Sequence, residues 1–98
     1  THAGLWYMQI PPSGQRVDQF ARQQDHKAID QIMALKPDGL LTTVDKHNIS
    51  MCGYGCVAAM LVFARESGGS RAELLKYATS YDISPDDAAV GYAAILVT

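Results

Sequence analysis

The apolar and polar positions divide the chain into six segments. Residues 4–10, GLWYMQI, are rich in aromatic and branched side chains and stop at Pro11-Pro12, which predicts a strand. From Ser13 or Gly14 to about Leu35, apolar residues return every three or four positions: Val17, Phe20, Ala21, Ala28, Ile29, Ile32 and Met33. That spacing predicts a long helix with one apolar face, interrupted at its middle by Gln24. Arg16, Gln23, Lys27 and Asp30 fall on the opposite face. KPDG at 36–39 ends the helix, because proline cannot continue it and Asp-Gly favours a turn. LLTTV at 40–44 then predicts a short second strand.

Residues 50–65 predict another helix, with Ser50 as its cap. Positions 57–63 are apolar on every side, and a helix without a polar face is expected to be enclosed by protein. ESGGS at 66–70 breaks it. Ser70 and Glu73 have the spacing of a capping box, so RAELLKYATSY predicts an amphipathic helix packing Leu74, Leu75 and Ala78. SPDD opens the last segment, with Ser84 as cap, Pro85 at the first helical position, and Asp86 and Asp87 against the positive end of the dipole. AAVGYAAILV continues it as helix, giving way to strand near Ile95. The expected fold is α/β and rich in helix: strand, helix, strand, then a buried helix and two further helices, in a single domain spanning residues 1–98. Two strands alone are marginal. The sheet is therefore expected to be completed by a second copy, unless the helices dominate.

Composition narrows the function classes. The chain has 98 residues, 48% of them hydrophobic and 18% charged, enough apolar surface for one modest core. A net charge of −2, with the eight Lys and Arg scattered, gives no basic footprint for nucleic acid. The longest apolar run is about eight residues, against the ~20 that a membrane span needs. Two cysteines make no disulfide framework, so a reducing, cytoplasmic setting is expected. The start at Thr1 without a methionine suggests a processed or excised piece. No glycine-rich phosphate loop or dinucleotide fingerprint follows either predicted strand, so no cofactor is expected.

The chemistry concentrates in HNISMCGYGCVAAML, residues 47–61. Cys52 and Cys56 stand four apart at the start of the apolar helix. At a helix N-terminus, unpaired N–H groups and the dipole favour a thiolate, and Gly53 and Gly55 permit close approach of a substrate chain. CGYGCVAAM, SRAELLKYA and ISPDDAA together resemble the front half of the C39-type, papain-like cysteine peptidases. That resemblance implies Cys52 as nucleophile. The family's oxyanion glutamine before the cysteine is replaced here by Lys46, His47 and Asn48. Its later catalytic histidine has no counterpart, since His2, His26 and His47 all precede Cys52. His47 is then the one irregular base, with no third group to orient it. A degenerate relative fits the same residues. A zinc site from Cys52, Cys56 and His47, with His2 or Asp45 as fourth ligand, lacks the second ligand pair structural zinc uses, so no metal is expected. The remaining reading is burial, since free cysteine packs as a small hydrophobe. Burial is the favoured reading for both.

His26 reads as part of a solvated helix face, and Asp86 and Asp87 as dipole partners. Trp6, Tyr7 and Met8 are consecutive on the predicted first strand, and Tyr77, Tyr81 and Tyr92 add rings of the kind enriched at interfaces. These six are the candidate binding residues, although the same rings suit the caps of a monomer's core. The leading reading is a non-enzymatic protein-interaction or assembly module, a homodimer or a subunit of a larger complex, with protein as partner and no membrane. The alternative is the cysteine peptidase with Cys52 and His47, and a third, weaker reading is a regulatory domain that contacts nucleic acid inside a larger complex.

Overall fold

The computed structural model describes residues 1–7 and 9–98, with the backbone alone at Trp6. The fold is α/β: three helices and a three-stranded antiparallel sheet. In chain order the elements are β1 (His2–Ala3), a 3-10 turn (Leu5–Tyr7), α1 (Val17–Met33), α2 (Pro37–Lys46), α3 (Tyr54–Glu66), β2 (Ala72–Thr79), a second 3-10 turn (Ser80–Asp82) and β3 (Ala89–Val97). The sheet order is β1-β3-β2.

The long first helix forms as its periodicity predicts. Val17, Ala21, Ala28, Ile29 and Ile32 are buried along one face. Gln24, which breaks the stripe, is buried as well. Its amide donates to the His47 carbonyl at 3.0 Å and its oxygen accepts from Lys27 at 3.0 Å, so the polar interruption ties α1 to the end of α2. Leu35, with φ of 55°, turns the chain out of α1.

Several expectations are corrected. LLTTV is part of α2, not a strand: Pro37 sits at the first helical position, where its missing N–H costs nothing, and Leu40 and Val44 fall one turn apart on the buried face. AELLKYAT is β2, and AVGYAAILV is β3 rather than a helix. These two segments pair antiparallel from Ala72 opposite Val97 to Thr79 opposite Gly91, with a bulge between Leu74 and Lys76. Ser70 is no helix cap; its N–H donates to the Thr98 carbonyl at 2.9 Å. Asp86 and Asp87 consequently lie in a loop before β3, with no helix dipole to meet. The strand expected from Gly4 is not there: β1 lies before it, at His2–Ala3, and Leu5–Tyr7 form a 3-10 turn. Gly4 explains the break: its φ is +122°, and a Cβ there would come within 2.7 Å of the Asp87 carbonyl oxygen. The sheet thus has its three strands within one chain, without a second copy.

The main core gathers Ala28 and Ile32 of α1, Leu40 and Val44 of α2, Ile49, and Ala58 and Leu61 of α3, with Ile95 and Val97 partly buried against it. A smaller cluster joins Ala3, Val17, Ala21 and Ala89, with Phe20 and Tyr81 beside it. Helix α3 departs most from expectation. Only Ala58 and Leu61 are buried, whereas Phe63 is 72% exposed and Tyr54, Met60 and Val62 are also exposed. A helix apolar on every side lies half uncovered.

Charge ties the first helix down. The Arg16 guanidinium donates to Asp18 at 2.5 and 2.9 Å and holds that buried carboxyl below its ordinary range. Asp82 is held low first by the Thr79 N–H, at 2.8 Å, and then by Arg22, at 3.0 Å. A carboxylate whose folded pKa lies below its unfolded value adds stability above the unfolded pKa, and loses it as the pH falls through the folded one. The melting temperature is expected to hold between pH 7 and about 5 and to fall progressively below about 4. Circular dichroism melts across that range check this. An acid limb no steeper in the chain than in its Asp18→Asn variant would contradict it.

Candidate functional site

Between the start of α3, the inner side of α1 and the sheet lies an open cavity of about 620 Å³. Its apolar walls come from Ile29 and Ile32 of α1, Val57 and Met60 of α3, and Ile95 of β3. Its polar and reactive groups come from His2, Tyr7, Asp25, Cys52, Tyr77 and Tyr92. A second hollow of about 350 Å³, lined by Met60, Phe63, Gly69 and Val97, continues along the same side of α3. Met60 lines both.

Ser50 sets the position of His2. The His2 N–H donates to Ser50 Oγ at 2.9 Å, Ser50 Oγ donates to the His2 carbonyl at 2.8 Å, and His2 Nδ1 lies 3.2 Å from the Ser50 carbonyl oxygen. A carbonyl only accepts, so Nδ1 carries the proton in that contact. The ring meets Tyr7 edge-on at 5.1 Å. Cys52 follows Ser50 by two residues, just before Gly53, whose left-handed φ of 73° starts α3. One short segment therefore carries both the clamp on the imidazole and the thiol at the cavity.

The sequence reading is corrected here. Cys52 and Cys56 are free and exposed, not core packing. Cys52 lies in the turn before α3 and Cys56 in the helix's first turn, while its buried positions are taken by Ala58 and Leu61. His47 ends α2, is exposed, and is not among the cavity's residues. The imidazole that shares the cavity with Cys52 is that of His2. Nothing in the spacing announced it: His2 and Ser50 are 48 apart in sequence, and only folding brings them together. Among the described residues no group of three or more His, Cys, Asp or Glu side chains could hold a metal ion.

Opposite His2 stands a polar latch. Asp25, buried on α1, accepts from the Thr1 nitrogen at 2.5 Å and from the Tyr77 hydroxyl at 2.5 Å. Burial, and then the neighbouring Asp25, push the Tyr77 hydroxyl well above its usual pKa, so it stays protonated and donating at any ordinary pH. The Arg22 guanidinium lies 5.2 Å from the centre of the Tyr77 ring, and His26 meets that ring edge-on at 5.1 Å. Of the candidate binding residues, Tyr7, Tyr77 and Tyr92 line the cavity. Tyr81 packs on the smaller core cluster under Arg16, as a cap of the chain's own interior. Met8 and the Trp6 side chain lie outside the described residues. Among the described residues, no helix is long and apolar enough to cross a membrane.

A family model described as Memo-like protein matches residues 1–96. Similar proteins include a MEMO1 family protein of Methanosarcina acetivorans, 49% identical over 80 residues, which are 81% of this chain and 30% of the relative. One from Methanopyrus kandleri is 48% identical over 77 residues, 78% of this chain and 27% of the relative. One from Ignicoccus hospitalis is 46% identical over 74 residues, 74% of this chain and 26% of the relative. The chain spans less than a third of the length of these curated relatives. The likeness to C39-type peptidases is overturned. The matching family is a different one, and two of the stretches that carried the likeness are β2 and the loop before β3, not peptidase helices.

Proposed function

We infer that this chain, which belongs to the Memo-like family, works as a protein-docking module: it buries the outer side of α3 and the adjoining groove against another protein surface. The observation that carries this reading is the uncovered apolar side of α3, where Phe63 is 72% and Val62 48% exposed. Scattered apolar residues on a surface are ordinary, but contiguous ones beside a groove mark an interface. The relatives are more than three times as long as the part this chain matches, which supports a larger protein or assembly as the setting. With two free thiols, that setting is a reducing one such as the cytoplasm. Docking on this side also closes the cavity that holds His2 and Cys52, so the partner would complete the site's outer wall.

Light scattering over a wide concentration range tests the reading. The chain is expected to self-associate through the open face, and Phe63→Asp to leave it monomeric with an unchanged circular dichroism spectrum. A chain that stays monomeric throughout and binds no apolar dye would end the docking account.

A further inference from the structure

One hydroxyl does for His2 what a neighbouring strand does elsewhere in a sheet. His2 stands opposite Val90, whose N–H turns away from β1 to Ser80 Oγ at 2.9 Å. The pair therefore exchanges no backbone bonds, and the His2 N–H and C=O face away from β3. Ser50 Oγ meets both of them, accepting from the N–H at 2.9 Å and donating to the carbonyl at 2.8 Å. A hydroxyl is the small side chain that can accept and donate at once, which suits serine to this place. The same residue then reaches the ring, since its carbonyl oxygen lies 3.2 Å from Nδ1. That ring contact is the longest of the three, and the two shorter bonds hold the His2 backbone where it can form.

We propose that Ser50 is the positioning residue of the cavity's imidazole: by clipping the His2 backbone it keeps Nδ1 on the Ser50 carbonyl, and so fixes which ring nitrogen bears the proton. In a neutral imidazole one nitrogen donates and the other accepts, and the hydrogen bond made by one of them selects the form. The clip thereby decides what His2 does in the cavity: the nitrogen away from Ser50 accepts a proton or a hydrogen bond and does not give one. Ser50 acts through His2, with its own hydroxyl engaged on both sides. The proposal stands apart from the docking account, because it concerns a ring nitrogen within the chain and not a surface.

Nitrogen-15 NMR of the imidazole rings tests this on the 98-residue chain, at about pH 9, where an ordinary histidine is neutral. Protonated and bare ring nitrogens resonate far apart, so the tautomer is read directly, and His2→Gln assigns the signals by removing one set. His26 is the control within the molecule, because its Nδ1 lies 2.8 Å from the Arg22 carbonyl oxygen in a contact made inside α1. His2 is expected to be protonated mainly at Nδ1 in the parent chain. In Ser50→Ala the ratio of that form to the other should fall about fivefold or more, as the loss of an ordinary hydrogen bond gives. Ser50→Thr, which keeps the hydroxyl, should match the parent. Ser50→Cys should fall between, since a thiol is a weak donor and acceptor. His26 should keep its tautomer in all of them. A merely structural role for Ser50 would lower the melting temperature of Ser50→Ala and leave the tautomer of the folded protein unchanged. That result overturns the proposal, as does a parent ring protonated mainly at Nε2. Should Ser50→Ala not fold, the parent's tautomer and its change in Ser50→Cys decide the matter.

Discussion

Gly91→Ala is expected to lower the melting temperature of this chain by about 15 °C or more, the shift that roughly 3 kcal/mol produces in a domain this size. A Cβ built on Gly91 overlaps Asp25 Oδ2 outright and lies 2.6 Å from the Tyr77 hydroxyl oxygen. Asp25 is 7% exposed and cannot swing into solvent without abandoning both donors. Displacing it leaves a buried carboxylate without its bonds, a change that costs about 3 to 5 kcal/mol in comparable settings. Tyr77 would lose its acceptor at the same time. Because the latch joins α1 to β2 beneath β3, its failure loosens the wall of the cavity along with the sheet. Gly55→Ala provides the contrast. Gly55 sits inside α3 with nothing within 4 Å of a built Cβ, so alanine there is expected to stabilise by about 0.5 to 1 kcal/mol. Thermal melts of the two variants, side by side, give opposite signs. A Gly91→Ala protein melting within a few degrees of the parent would mean that the latch does not hold the fold.

Leu61→Ala should cost about 3 to 4 kcal/mol, and Leu40→Ala a similar amount. Both leucines have no exposed surface and meet where α2, α3 and α1 converge. Removing either leaves a void between helices that are already short, and one core of this size tolerates few such losses. Val62→Ala, on the same helix but 48% exposed, should cost less than about 1 kcal/mol. Urea titrations of the three variants measure the difference directly. Equal costs at Leu61 and Val62 in the monomeric chain would show that the outer side of α3 is buried in solution, against the arrangement described.

Most of the helical half was legible before folding. Helix α1 is long enough for its repeat to be unambiguous, and α3 announced itself by a run of apolar residues behind a glycine pair. The errors share one cause. LLTTV has the branched residues of a strand, but Pro37 and the one-turn separation of Leu40 and Val44 suit a helix, and a helix packs them against α1 and α3. RAELLKYAT and AVGYAAILV carry residues common in helices, and their apolar spacing satisfies helix and strand alike. What decides between them is pairing with each other across a loop, which no local window contains. Cys52 was expected to be buried, and it is exposed because it lies in the turn before α3, whose inward positions are taken by Ala58 and Leu61. The imidazole reading settled on His47 because it was near in sequence, whereas the clamp from Ser50 brings His2 to the cavity.

By itself, the sequence determined the α/β class, the span of α1, the approximate position of α3, and the thiol-bearing turn that precedes it. These follow from periodicity and helix-end chemistry, which act over a few residues. Tertiary structure alone decided that the final segments are strands, that His2, Asp25 and Tyr77 share a cavity with Cys52, and that one side of an all-apolar helix is left open. Each of those depends on contacts between residues tens of positions apart, where the hydrogen bonds and buried area gained by long-range pairing outweigh local preference.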